Sequence, residues 1–157
     1  MTQARAFVRA SNPLTRLMLR LGMPMGPNVL LTVRGRTSGL PRSAPVAIAE
    51  FEGRRWIIAA YGDVQWVRNL RVAGEGEIRH GGRTEQVRTM ELDAEAALAF
   101  YRDTLPAFVR SLPWFGRRFV KLLFTVAGPE VLNDPVAATA GHPVFELHES
   151  LSQATNE

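Results

Sequence analysis

Two periods of apolar and polar residues alternate along this chain. Between Arg5 and Leu21 the spacing is helical. At about 100° per residue, Arg5, Arg9, Arg16 and Arg20 share one side, and Phe7, Ala10, Leu14, Leu17, Met18 and Leu21 lie opposite. Asn12-Pro13 reads as a cap followed by proline at a first helical position, so this N-terminal amphipathic segment is one helix or two. Gly22 and the run Met23-Pro24-Met25-Gly26-Pro27 end it. The period then shortens to two. Residues 28–34, 43–51 and 55–60 predict strands, the last two joined at Glu52-Gly53-Arg54. Residues 65–73 return to the helical period and stop at Gly74. Residues 76–80 and 83–91 predict a hairpin around Gly81-Gly82. Asp93 caps a helix that reaches Arg102, and a second helical region spans Pro106 to Ala127 with a break at Pro113. Pro143 to His148 predicts a last strand, and residues 151–157 a polar tail. Neither a repeat nor a linker divides the chain. Residues 1–150 therefore predict one α+β domain of mainly antiparallel strands with peripheral helices, with strands enough for a small barrel.

Composition narrows the chemistry. The 157 residues are 46% hydrophobic and 22% charged, which is ordinary globular usage. There is no cysteine, which excludes disulfides, thiolate catalysis and Cys-ligated metal and suits a reducing cytoplasm. No apolar run approaches the ~20 residues of a membrane-spanning helix, and arginines interrupt the N-terminal apolar residues where a signal peptide would have none. Charge is unevenly placed. The first acid is Glu50, preceded by seven arginines; after Lys121 there are only acids. The N-terminal third therefore carries a field that attracts anions.

The stretch Gly35-Arg36-Thr37-Ser38-Gly39-Leu40-Pro41-Arg42 is the candidate chemistry. It is too long and too cationic for a two-residue hairpin turn. Gly35 and Gly39 let backbone N–H groups turn toward one point. Arg36 and Arg42 supply forked donors that match phosphate or carboxylate, and Thr37, Ser38 and Ser43 add hydroxyls. The spacing is neither that of a Walker loop nor the dinucleotide fingerprint. An anion-binding loop and a solvated loop both satisfy this composition.

GRTSGLPRSAPV, the strand WIIAAYG and the helix start QWVRNL, in that order, resemble the deazaflavin-dependent nitroreductase family. This is the branch of the flavin-binding split β-barrels that uses coenzyme F420. The resemblance covers residues 29–91 and implies a split β-barrel with peripheral helices. It implies that Arg36, Thr37, Ser38 and Gly39, with Arg42 beside them, contact the cofactor's phosphate and oligoglutamate tail. Ser43, Ala44, Pro45, Val46 and Ala47 would run along the deazaflavin ring, and Ala59, Ala60, Tyr61 and Gly62 would approach it from the neighbouring strand end. Gln65, Trp66, Val67, Arg68 and Asn69 would close the site. Two departures stand out. Thr37 occupies a position where the family often has lysine, and only Gly62-Asp63-Val64-Gln65 separates Tyr61 from Trp66, so the acceptor side differs. Pro45 on its own marks an edge or a bulge, because it cannot donate in a central ladder.

The activity implied is hydride transfer from reduced deazaflavin to a lipophilic acceptor: a quinone, a nitroaromatic or an activated enone. An FMN-binding split-barrel oxidoreductase and a non-catalytic carrier of lipid or cofactor are the alternatives. Tyr61 is the candidate catalytic group, as a proton donor or an orienting hydroxyl, with a structural hydroxyl as the other reading. His80, His142 and His148 are scattered and predict no metal site. Nucleic-acid binding has positive charge in its favour but no recognition helix or stacking platform. In the helix after Pro113, Phe115, Phe119, Leu122 and Val126 form one apolar face and Arg117, Arg118 and Lys121 another, while Trp114, Val120 and Phe124 project elsewhere. Burial of this helix on the barrel is the default expectation. A lid over a lipophilic substrate and contact with an anionic membrane are the functional alternatives. The expected location is cytoplasmic, with peripheral contact at the inner membrane face as a variant, and a homodimer is compatible with the sequence.

Overall fold

Alternation in the strands translates directly into a closed barrel. The computed structural model describes residues 28–80 and 82–150. Six strands, β1 (Asn28–Arg34), β2 (Pro41–Phe51), β3 (Arg54–Ile58), β4 (Glu75–His80), β5 (Arg83–Glu91) and β6 (Val144–Glu149), close in the order β1-β2-β3-β6-β5-β4. Every pairing is antiparallel. The α+β antiparallel split-barrel expectation is therefore met. Val29, Leu31 and Val33 on β1, Val46 on β2, Ile57 on β3, Val87 on β5 and Phe145 and Leu147 on β6 fill the interior. Helix α1 (Gln65–Ala73) stops one end of the barrel with Val67 and Leu70. The far end carries charge instead: Arg55 and Glu85 pair through two 2.8 Å bonds beside Glu50, His80 and Arg83, around a cleft of about 350 Å³.

The register has one irregularity with consequences. β1 and β2 pair from Asn28↔Ala47 to Arg34↔Pro41, but β2 and β3 begin to pair only at Ala47↔Ile58. Residues 41–46 of β2 thus have a strand neighbour on one flank only, and Pro45 sits there, where a missing N–H costs no ladder bond. β3 ends at Ile58, two residues before the expected end of its strand, so Ala59 and Ala60 belong to the turn that follows.

A second core lies outside the barrel. Ala49, Trp56, Ile58 and Val144 meet Phe100, Tyr101, Leu105, Phe108, Val120 and Phe124 from the helices. Burying each large apolar side chain contributes about 1.5–3 kcal/mol. Asp93 caps α2 (Ala94–Ala99), its Oδ1 accepting from the Ala96 N–H at 2.8 Å. Replacing Asp93 by Ala is expected to cost about 1 kcal/mol, read as a lowered denaturant midpoint with an unchanged slope. The expected gap between Arg102 and Pro106 is absent. A π-helical turn at Phe100–Thr104 carries α2 directly into α3 (Leu105–Ser111), and this wider turn accommodates Pro106 without a break.

After Pro113 comes α4 (Trp114–Ala127), followed by two short helices the sequence pattern did not predict, α5 (Glu130–Asn133) and α6 (Pro135–Gly141). On α4 the expected core face is corrected. Val120 and Phe124 are buried at 3% and 2% exposure, while Phe115 and Leu122 stand 62% and 65% exposed. The helix presents two apolar arcs and the barrel takes the narrower one. No helix among the described residues is long and apolar enough to cross a membrane. The N-terminal amphipathic segment, Gly81 and the polar tail lie outside the described residues.

Candidate functional site

The loop between β1 and β2 folds on itself before it can bind anything. The Gly35 N–H donates to the Leu40 carbonyl at 2.8 Å, and the Gly39 N–H to the Gly35 carbonyl at 2.9 Å. Ser38 Oγ accepts from the Leu40 N–H at 3.2 Å. Gly39 has φ +70°, which side chains rarely adopt, and a Cβ on Gly35 would lie 2.8 Å from Ser38 Oγ. The bend is thereby fixed, with Arg36 to Arg42 on its exposed side.

Arg36 is not left to the solvent. Asn69 on α1, itself buried, accepts from the Arg36 backbone N–H at 3.2 Å and from Nη1 at 2.8 Å through the same Oδ1. This contact ties the loop to α1. Within the described residues no hydrogen bond engages the N–H groups of Thr37 and Ser38, and Arg42 forms no ion pair. Nearby carboxylates are already matched. Asp63 faces Arg68 at 3.3 Å and Arg71 at 3.0 Å, and Arg71 grips Glu91 through two bonds of 2.8 and 2.7 Å. What remains open at the loop is a set of donors with no acceptor charge. Such a set fits a polyanionic tail.

The remaining residues divide between wall and core. Ser43 Oγ shares a 2.8 Å hydrogen bond with Thr32 Oγ1, and Ala44, Pro45 and Ala47 are half-buried along β2. Val46, Ala59 and Val67 point into the barrel core, so only their backbone can face a ligand. The Ala59 N–H donates to the Pro143 carbonyl at 2.9 Å, and the Ala59 carbonyl accepts from the Gly62 N–H at 3.0 Å. Ala60 is buried, and Gly62 turns with φ +80°. Tyr61 is half-buried against the helix-side core. Burial pushes its phenol above the usual range, so at neutral pH it stays protonated and can donate. Trp66 packs on the barrel core, its ring 6.2 Å from that of Phe145; Gln65 and Arg68 are exposed.

One polar cluster behind this wall escaped sequence reasoning. His142, buried, places Nδ1 3.0 Å from the Ala59 carbonyl and Nε2 2.5 Å from Glu130 Oε1. Tyr101, also buried, donates its hydroxyl to the His142 carbonyl at 2.7 Å. A carbonyl can only accept, so Nδ1 donates to Ala59, which leaves Nε2 facing Glu130. His142 holds the Glu130 carboxyl below the usual carboxylate range. The available signal was Asp134-Pro135, a cap followed by proline at the first helical position, which marks α6 and hence the turn that delivers His142.

A closed antiparallel barrel with helices packed outside it and across one end defines the class: an α+β split-barrel protein. The sequence match is specific. A profile of the F420H(2)-dependent quinone reductase family matches residues 5–110. The chain belongs to that family; its cofactor is F420H2, and it is an F420-dependent reductase. No curated protein matches the sequence. Among solved structures, a chain described as a domain-swapped dimer is 20% identical, with 92% of this chain and 98% of that chain covered and a TM-score of 0.49. An F420-H2 dependent reductase (FDR-A) is 19% identical over 78% of this chain and 94% of its own, with a TM-score of 0.48. HutZ, a heme storage protein from Vibrio cholerae, is 12% identical over 88% and 89%, also at 0.48.

Proposed function

We propose that the protein transfers hydride from F420H2 to a lipophilic acceptor, a quinone first and a nitroaromatic or activated enone by the same chemistry. The supporting observation is the donor-only loop, with Arg36 held on Asn69 and Arg42 and the Thr37 and Ser38 N–H groups free to meet the cofactor's phosphate and carboxylates. When bound, the reduced deazaflavin supplies two electrons and one proton together as hydride from C5. The chain's own residues do the rest. The loop would fix the tail, residues 43–46 would offer backbone groups to the ring, Ala59, Ala60 and Gly62 would leave room for it, and Gln65, Trp66, Arg68 and Asn69 would close the site. Tyr61, protonated at neutral pH, can deliver the second proton that an accepting quinone oxygen requires.

Equilibrium titration of the purified protein with F420 and with FMN tests the cofactor half. F420 is expected to bind at least roughly tenfold tighter, a difference of about 1.4 kcal/mol. Tight FMN binding without F420 binding overturns the reading. Mixing the F420H2 complex with a quinone then tests the acceptor: loss of reduced-cofactor signal with hydroquinone formed in equal amount supports it. Bound F420H2 that persists against quinones, nitroaromatics and enones alike identifies a carrier instead.

A further inference from the structure

Helix α4 lies beyond the segment that matches the family profile, which ends at Arg110. Its inner arc, Val120 and Phe124, is anchored in the helix-side core. On the outer side Phe115, Phe119, Leu122 and Val126 fall within about 60° of one another at ~100° per residue and form an exposed stripe, at 62%, 38%, 65% and 46%. Trp114 stands at the helix start, 69% exposed with its ring edge-on to Phe115. Arg118, then Lys121 and Arg117, lie in turn around the helix on one side of the stripe, and all three are exposed. From residue 104 to residue 129 the chain contains Arg110, Arg117, Arg118 and Lys121 and not one acid. A stripe of large apolar side chains bordered by cations on an otherwise folded domain asks for an apolar surface with negative charge at its rim.

Charge decides among the occupants. A two-fold contact of α4 with α4 of a second copy would bring the same three cations against themselves. Residues 1–27 contain Arg5, Arg9, Arg16 and Arg20 and no acid, so they offer the α4 cations no carboxylate. An anionic bilayer offers the complement on both counts: headgroup phosphates for the cations and acyl chains for the stripe. We propose that α4 docks the protein on an anionic lipid bilayer, with Phe115, Phe119, Leu122 and Val126 entering the interface and Arg118 and Lys121 at the headgroups. The helix stays in the interfacial plane, held to the barrel by Val120 and Phe124.

Co-sedimentation of the full chain with vesicles tests this. The protein is expected to pellet with phosphatidylcholine vesicles containing phosphatidylglycerol, to remain in solution with phosphatidylcholine alone, and to be partly released by added salt. Phe115→Ser with Leu122→Ser, both exposed and so tolerated by the fold, should weaken partitioning by at least roughly tenfold. Melting temperature and F420 affinity should stay unchanged in that variant. Tryptophan emission should shift to the blue on anionic vesicles, and Trp114→Phe should abolish the shift. Absence of pelleting with anionic vesicles overturns the proposal. So does a Phe115/Leu122 variant that turns a dimer into a monomer while vesicle binding persists, since the stripe is then a contact between copies. Because F420 binding is read in the same samples, failure here is distinguishable from failure of the cofactor assignment.

Discussion

Replacing Arg36 and Arg42 together by alanine is expected to weaken F420 binding by about a hundredfold or more while leaving the protein folded. Each guanidinium lost removes a charge-assisted contact of about 1.5–3 kcal/mol where water is partly excluded. The structural cost is smaller. Arg36→Ala breaks the 2.8 Å bond from Nη1 to Asn69 Oδ1, but the 3.2 Å bond from the Arg36 backbone N–H survives. One net hydrogen bond is worth about 1 kcal/mol, so the thermal midpoint should move by only a few degrees. Arg42 has no partner among the described residues and should cost less still. Asn69→Ala separates positioning from contact. It removes the shared acceptor of both Arg36 donors, so it should weaken F420 through a guanidinium that is present but unanchored. Isothermal titration alongside thermal melts checks all three. Unchanged affinity in the double variant removes the loop from the site.

His142→Leu is expected to be the most destabilising single change, at about 2–4 kcal/mol. It leaves the buried Ala59 carbonyl without its imidazole donor and takes the partner from Glu130. Gly128→Ala should fail for a related reason: its Cβ would lie 2.6 Å from His142 Cε1, and that ring is pinned at both nitrogens. The pH dependence follows from Glu130. Its folded carboxyl titrates below its ordinary range, so its contribution to stability is present above that range and is lost as pH falls through the folded value. The acid side of the stability curve should therefore flatten in His142→Leu and in Glu130→Gln. Glu130 is 36% exposed at its side chain, so water screens the pair and Glu130→Gln alone should cost less than about 1 kcal/mol. Denaturant unfolding across acid pH gives both numbers.

The strands were readable because apolar and β-branched residues in 28–34, 43–51 and 83–91 are bounded by glycines, prolines and other turn residues, and Asp93 and Gly74 announce helix ends by chemistry that needs no tertiary partner. Closure of the barrel was not readable, because the pairing of β1 with β4 and of β3 with β6 joins residues far apart in the chain. On α4 the pattern showed two apolar arcs and could not say which one the barrel covers; packing chose Val120 and Phe124. Glycines and arginines gave away the loop. Its anchor showed only in part: the resemblance implied Asn69 for the site, but nothing in the sequence paired it with Arg36. His142 was invisible as a buried donor because α5 and α6, built from four and seven residues, fall below the length at which periodicity speaks.

The half-open strand has a cost of its own. A row of unpaired backbone groups at residues 41–46 could template a strand from another molecule and so begin aggregation. Two side chains stand against that. Pro45 deletes one donor from the row, and Arg42 sets a positive charge at its end. A flank left without a strand neighbour is thereby closed to foreign polypeptide, and the same proline that marks the opening acts as its guard.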